Sequence, residues 1–430
     1  MKICFIDTWT LGLGNFFPIH NELKKIGIES LLIHTSSFDG LGGLKNEEII
    51  KGITCRDVRY YNTKLVHKAL EVEKPDVVLN LTSFYLLDRA INLSCKSLNI
   101  RSVFLTPGIR EINVNYINDI EYNHRFKHLN KKRLSKAIKY LKYIIPNYFY
   151  SIIKYNFIYI FHYNPWRALI ELFINPGRKM MYPTPTKEIH ADKALVFADG
   201  YKTFFENIYE YPPQNIFCVG NPKLDRVFNL VSSPPSKKEI EDFQLYNNLP
   251  HSKKFITYLS SPFVESGYEG WSSEFRLNEY KKLEKVCSNN DYHLIIKLHP
   301  AMFGDKLLSQ YSSESNHVTI IKETDTQLLV YQSDGVLGHS SSTLLIPIIY
   351  KTPIIIIKWE SCSFVNDRFS EYDLTRVSKD SGDLNDYLNE IDTIKNELLI
   401  NTKREKFIKE YIKFEDDQSL NRIINQLTEW

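Results

Sequence analysis

Apolar residues in this chain fall in short runs separated by amphipathic stretches, the rhythm of strands alternating with helices. Residues 2–6, 30–34, 76–81 and 101–105 read as strands. The first runs through a turn containing Gly12 and Gly14 into a helix whose apolar face holds Phe16, Ile19 and Leu23, and residues 84–97 form another helix. The pattern resumes with a strand at 194–198, a helix at 201–209 and a strand at 216–219 closed by Gly220-Asn221-Pro222. Ser232-Ser233-Pro234-Pro235-Ser236 reads as an interdomain linker. Strands at 255–259, 292–298, 318–321, 335–338 and 353–357 follow, with helices near 274–287, 325–331 and 342–350 and a charged helical stretch from 384 onward. The expectation is an α/β protein with two doubly wound, mainly parallel sheets facing a cleft. We assign residues 1–232 to a first domain with an insert at about 111–190, 233–252 to a linker, 253–395 to a second domain and 396–430 to terminal helices.

A chain of 430 residues, 43% hydrophobic and 24% charged, can bury two cores of ordinary size, which excludes a largely disordered protein. The six cysteines at 4, 55, 95, 218, 287 and 362 have no metal-ligand spacing and read as buried thiols of a reducing compartment. The start of the chain is too quickly polar for a signal peptide. The net charge of +3 conceals an imbalance: residues 122–170 carry ten Lys or Arg and no Asp or Glu, together with thirteen aromatic residues.

Two motifs carry chemistry. His299-Pro300 ends an apolar run that includes Lys297, and Ser340-Ser341-Ser342-Thr343 follows some forty residues later. Both fall at carboxyl ends of expected strands, where open α/β sheets bind ligands. An imidazole with an adjacent ammonium, and a hydroxyl-rich helix start with N–H groups to spare, suit phosphate. Each is also compatible with an ordinary strand end and helix cap. Gly12 and Gly14 do not complete a dinucleotide fingerprint, because Phe17 stands where the third glycine belongs.

At these residues the chain resembles the GT-B glycosyltransferases of bacterial surface polysaccharides. Residues 295–300 and 340–343 are similar to the HP and serine motifs of bacterial polysialyltransferases, capsular Kdo transferases and CDP-glycerol glycerophosphotransferases. Gly220-Asn221-Pro222-Lys223-Leu224-Asp225 resembles a segment of UDP-N-acetylglucosamine 2-epimerases. Thr106-Pro107-Gly108-Ile109-Arg110 resembles another, but lacks the carboxylate ahead of the glycine. The resemblance implies a GT-B fold and a nucleotide-sugar donor held by His299, Lys297, Ser340, Ser341, Ser342 and Thr343. Ser260, Ser261 and Glu360 are further candidates for donor phosphate and ribose. No D-x-D motif stands out, so metal-independent transfer without a cofactor is expected. The general base should come from the first domain, where Glu111, Asp199, His20 and Asp7 are candidates; Asp199 would serve equally as a helix cap.

Residues 125–145 read as an amphipathic helix ended by Pro146, with Lys132, Arg133, Lys136 and Lys139 on its basic surface. No run of eighteen apolar residues exists, so a spanning helix is not expected. Basic and aromatic residues together suit an anionic membrane surface, an anionic glycan, or plain packing. The leading function is a glycosyltransferase extending a capsule or O-antigen type polymer on a glycan or lipid-linked acceptor. It would be cytoplasmic and peripheral to the inner membrane face, compatible with a homo-oligomer, and without nucleic-acid partners. The alternatives are a 2-epimerase-like enzyme, a CDP-polyol phosphotransferase and a non-catalytic nucleotide-sugar-binding scaffold.

Overall fold

The computed structural model describes residues 1–7, 13–39, 45–81, 86–106, 139–158, 189–250, 254–268, 270–302, 306–339, 341–362 and 369–429. Their strands form two sheets. The first contains β1 (Lys2–Asp7), β2 (Glu29–His34), β3 (Glu47–Ile50), β4 (Ile53–Asp57), β5 (Val77–Asn80), β6 (Arg101–Leu105), β7 (Lys193–Val196) and β8 (Ile216–Cys218). Its order is β3-β4-β2-β1-β5-β6-β7-β8. Every pairing is parallel except β3 with β4, a hairpin turned at Lys51 and Gly52, both at positive φ. The second contains β9 (Phe255–Leu259), β10 (His293–Lys297), β11 (Val318–Ile321), β12 (Gly335–Gly338), β13 (Ile354–Ile357) and β14 (Arg376–Ser378). Its order, β11-β10-β9-β12-β13-β14, is parallel throughout.

The inner strands form because both of their faces are covered. In β10, Leu294 and Ile296 pack with Tyr258, Leu337 and Ile355, while Ile295 packs on the other face with Phe255, Ile321 and Leu329. Within each sheet the strand order reverses direction, between β1 and β5 in the first and between β9 and β12 in the second. Such switch points are where ligands of doubly wound sheets sit, outside the carboxyl ends of the strands.

The chain passes between the two cores at places that local composition does not mark. Helix Asp225–Ser232 lies ahead of the Ser-Pro stretch, yet Leu224, Val227 and Phe228 pack into the second sheet's core. Helix Ser419–Thr428 returns to the first, burying Ile423, Ile424 and Leu427 beside Ile3, Phe5 and Phe16. The crossing therefore falls at Gly220–Leu224 and again near Phe414, not at residues 233–252. Gly220 adopts φ +81, and a Cβ there would overlap Ser419 Oγ. Asp225 accepts the backbone N–H groups of Ser419 (3.2 Å) and Leu420 (2.9 Å), capping the returning helix.

Pro146 begins a helix instead of ending one. It sits in the first turn of helix Ile145–Asn156, where its missing N–H costs nothing, behind a π-helical turn at Tyr140–Ile144. This helix packs on helix Leu86–Ser97, with Ser94 and Ser151 hydroxyls 2.9 Å apart. Asn147 Oδ1 accepts the N–H of Val66 at 2.8 Å, supplying a cap that Leu65 cannot. Lys132, Arg133 and Lys136 lie outside the described residues.

Candidate functional site at the carboxyl edge of the second sheet

Four adjacent strands, β10, β9, β12 and β13, end side by side at one edge of the second sheet. They deliver, in that order, His299, Ser261, Ser341 and Glu360. His299 and Ser341 flank β9, so their strands lie about 10 Å apart at the usual strand spacing. A diphosphate could span the ends between them.

His299 is exposed, and its ring is oriented by the chain that follows it. Nδ1 accepts the N–H of Ala301 at 3.1 Å, and the Met302 N–H closes a turn onto the His299 carbonyl at 2.9 Å. With Nδ1 accepting, the neutral ring carries its proton on Nε2, which makes Nε2–H a donor toward the edge. Partial desolvation, helped by the Lys297 ammonium, lowers the imidazole pKa below its ordinary value, which favours that neutral form. Lys297 is itself buried and donates to the Leu298 carbonyl at 2.9 Å. Burial lowers its pKa, and Lys322 adds to the shift while Glu323 opposes it.

Ser341 is the N-cap of the turn Ser342–Leu344, its Oγ accepting the Thr343 N–H at 3.3 Å. That turn runs directly into helix Leu345–Tyr350. Ser342 is exposed and Thr343 half-buried, whereas Ser340 lies outside the described residues. The first amides of a helix have no intrahelical acceptor, so the Ser342 N–H can donate to an anion together with the hydroxyls of residues 341–343, while the Thr343 N–H is taken by Ser341 Oγ. Ser261 is half-buried and Glu360 exposed, at the start of the turn Glu360–Cys362.

Ser260 is placed differently from expectation. It is buried, with Oγ 2.5 Å from the Tyr280 hydroxyl and 3.6 Å from Met302 Sδ, and so braces the edge from below. Its neighbours include groups that sequence reasoning passed over. His339, at the end of β12, is fully enclosed: Nδ1 lies 3.0 Å from the Ile357 carbonyl and Nε2 2.8 Å from the Tyr258 hydroxyl. A carbonyl can only accept, so Nδ1 carries the proton and Tyr258 donates to Nε2. Burial lowers this imidazole to a pKa of about 4, although the bond to Ile357 works the other way. Phe263 packs on the His339 ring at 4.8 Å and on Trp271 at 4.6 Å, folding the loop after β9 over the edge. Arg276 and Glu265 form a buried pair at 2.7 Å under that loop. The unusual Gly-His-Ser run was the sequence signal for His339; the Glu265–Arg276 pair left none.

The first-domain candidates for general base fall at different places: Asp7 ends β1 and Asp199 follows β7, whereas His20 lies elsewhere. His20 is buried, and its Nδ1 lies 2.7 Å from Ser30 Oγ. Ser30 is near the amino end of β2, so this ring is at the wrong edge of the sheet for an acceptor. Asp199 starts helix Asp199–Tyr209 at the carboxyl end of β7, and Ala198, not Asp199, is the N-cap. Its carboxylate is paired with Lys413 at 2.6 Å and receives the Cys218 thiol at 3.6 Å, tying the first domain to the returning chain. Glu111 lies outside the described residues, as do Gly12 and residues 107–110. Among the described residues no group of three or more His, Cys, Asp or Glu is arranged to hold a metal ion.

A family model described as CDP-Glycerol:Poly(glycerophosphate) glycerophosphotransferase matches residues 118–429 and so contains the whole of this edge. The chain belongs to that family. Among solved structures, the wall teichoic acid polymerase TagF is similar at 13% identity and TM-score 0.57, over 99% of this chain and 88% of that one. UDP-GlcNAc 2-epimerase from Methanocaldococcus jannaschii, solved with UDP-GlcNAc and UDP, is similar at 15% identity and TM-score 0.53, covering all of both chains. The Neisseria meningitidis enzyme of that name, bound to UDP-GlcNAc, gives 11% and 0.56, also over all of both chains. These likenesses establish the GT-B fold, with two doubly wound domains and a cleft between them. No protein of curated function is similar enough in sequence to count as a relative. Family and fold together make this protein a transferase.

Proposed function

We propose that this protein transfers a polyol phosphate from a cytidine-diphosphate-activated donor to a hydroxyl of a growing surface polymer. The observation that carries the reading is the row of strand ends β10, β9 and β12, which brings the His299 donor and the 341–343 helix start to one side of the second sheet, within the residues that define the family. In the reaction the acceptor oxygen attacks the β-phosphorus. The bond from that phosphorus to the bridging oxygen breaks, and CMP leaves with the electron pair. Charge then grows on the phosphate oxygens. Hydrogen bonds from His299 Nε2 and residues 341–343 strengthen at that moment, each worth roughly 3 kcal/mol by analogy with other oxyanion donors. With this many fixed donors, the reaction needs no metal ion.

A second reading, sugar transfer from a nucleotide sugar, draws on the structural neighbours solved with UDP-GlcNAc. The same edge would hold the leaving nucleotide. The experiment is donor competition on a lipid-linked glycerol-phosphate primer. CMP release and primer growth with CDP-glycerol support the first reading, and incorporation from a UDP- or CMP-sugar alone supports the second. Conversion of UDP-GlcNAc without any acceptor would overturn both.

The acceptor reading includes a membrane. No helix among the described residues is long and apolar enough to cross one. Helix Ile145–Asn156 and its flanks nevertheless expose Leu141 (55%), Ile153 (51%), Phe157 (58%) and Ile158 (63%) beside Lys139, Lys142 and Lys154. Exposed apolar side chains interspersed with lysines along the chain suit the surface of an anionic bilayer at the cytoplasmic face. Sedimentation with phosphatidylglycerol vesicles should fall when Ile153 and Phe157 are replaced by Glu; equal sedimentation of both proteins would exclude this face.

A further inference from the structure

Two packed helices of the first domain carry a strip of lysines and tyrosines that starts at the carboxyl edge of its sheet. Helix Val66–Glu73 connects β4 to β5, which run parallel in that sheet, so it leaves the carboxyl edge and returns toward the amino edge. Lys64 stands just ahead of this helix, and Lys68 lies in its first turn. Helix Ile145–Asn156 packs beside it, with Tyr143 in the turn that precedes it. Tyr143 stacks on Phe38 at 4.5 Å, and Phe38 belongs to the turn Ser36–Asp39 that follows the carboxyl end of β2. One end of the strip is therefore fixed at the edge where an open α/β sheet meets its ligand.

The strip repeats itself along the helix. Lys64 and Lys142 lie over the Tyr143 ring, 5.6 and 5.2 Å from its centroid. Lys68 and Lys154 lie over the Tyr150 ring, at 5.9 and 5.7 Å. The two tyrosines are seven positions apart, about two helical turns or roughly 10 Å, which keeps them on one face. All four lysines are exposed, and both rings are half-buried. Among the described residues only Lys68 is paired with a carboxylate, Glu71 at 2.8 Å. Rings hold these ammonium groups without neutralising them, so the strip stays positive. Asn147, buried between the helices, fixes their register. Its Oδ1 accepts the Val66 N–H, and its Nδ2 donates to the Lys64 and Tyr143 carbonyls, each at 2.8 Å. The cations are thus placed before a ligand arrives. Exposed Ile153, Phe157 and Ile158 stand at the far end, beside Lys154 and away from the cleft.

We propose that this strip binds the backbone phosphates of the growing polymer and leads it from the apolar end of the helix to the cleft. Its ligand is an extended polyanion with phosphodiesters at regular intervals. One phosphate meets Lys64 and Lys142, and another, further along the same chain, meets Lys68 and Lys154. Each exposed ion pair is weak by itself, and two linked contacts on one chain reinforce each other. The proposal rests on the polyol-phosphate reading above and names the surface that holds its acceptor.

Direct binding on the full chain tests it without any donor. A fluorescently labelled, lipid-free poly(glycerol phosphate) oligomer is titrated with the protein, and anisotropy gives Kd. The combined variant Lys64→Gln, Lys68→Gln, Lys142→Gln and Lys154→Gln should raise Kd by about 10-fold or more at low salt. Arginine at the same four positions should restore binding, and added salt should bring the wild type toward the Gln variant. If the combined variant fails to fold, Lys64→Gln with Lys142→Gln, and Lys68→Gln with Lys154→Gln, decide separately by the same measure. Equal Kd for wild type and Gln variants overturns the proposal, as does a wild type that does not bind the oligomer. A Gln variant that loses only sedimentation with phosphatidylglycerol vesicles, and keeps the oligomer, marks a bilayer contact and also overturns it. Failure of the wild type to use CDP-glycerol refutes the donor reading instead, since oligomer binding is measured with no nucleotide present.

Discussion

Acidification should weaken this fold through His339, the imidazole sealed behind the serine turn. Its pKa is about 4 in the folded protein, against an ordinary value of 6.5. The unfolded chain therefore takes up a proton at this ring as pH falls below 6.5, while the folded chain does not until about 4. Stability is unaffected above 6.5 and declines through the window from 6.5 to about 4. The full loss is about 3 kcal/mol, taking 1.36 kcal/mol for each tenfold change in proton affinity. The comparison that isolates this residue is urea denaturation of the wild type and His339→Gln at pH 7.5, 6, 5 and 4.5. Glutamine can donate to the Ile357 carbonyl and accept from Tyr258 but cannot titrate. Between pH 7.5 and 4.5 the wild type should lose about 2–3 kcal/mol more than the variant. Other titrating groups, including His190 (also lowered to about 4 by burial), cancel in the difference. Parallel stability–pH curves for the two proteins would refute an enclosed neutral imidazole at this position.

Three further outcomes follow from the geometry. His299→Ala should lower kcat/KM for transfer by roughly 100- to 1,000-fold, the scale of one lost oxyanion donor, while Lys322→Ala, on the next strand's exit, should change it little. Gly220→Ala should destabilise the protein by about 2 kcal/mol, combining positive φ with displacement of Ser419, and Ser419→Gly in the same chain should recover part of the loss in thermal unfolding. Dialysis against EDTA should leave transfer undiminished, checked by CMP release before and after.

What could be read in the sequence depended on how locally each feature is determined. Strands covered on both faces declared themselves as apolar runs: 101–105, 255–259 and 335–338 coincide with β6, β9 and β12. The β3–β4 hairpin escaped because its outer strand, Glu47-Glu48-Ile49-Ile50, is half-exposed and charged, as edge strands are. The Lys51-Gly52 pair was its only local mark. The phosphate edge was legible because each motif sits directly behind its strand. Domain crossing was not, since Gly220 and Asp225 meet Ser419 and Leu420 nearly two hundred positions away. Ser232–Ser236, polar and rich in proline, joins two helices and does not mark that crossing. His20 illustrates the same limit. Its helix was evident, but which end of the sheet it faces depends on packing. The lysine–tyrosine strip exists only once helices Val66–Glu73 and Ile145–Asn156 pack together, because Lys64 and Tyr143 are far apart along the chain.

The central claim is that a nucleotide diphosphate lies against the second sheet between His299 and the 341–343 helix start. A crystal structure with CDP bound tests it most directly. The phosphate oxygens should lie about 3 Å from His299 Nε2 and from the amides or hydroxyls of residues 341–343. A nucleotide seated against the first sheet, or a diphosphate that leaves both groups untouched, would contradict it.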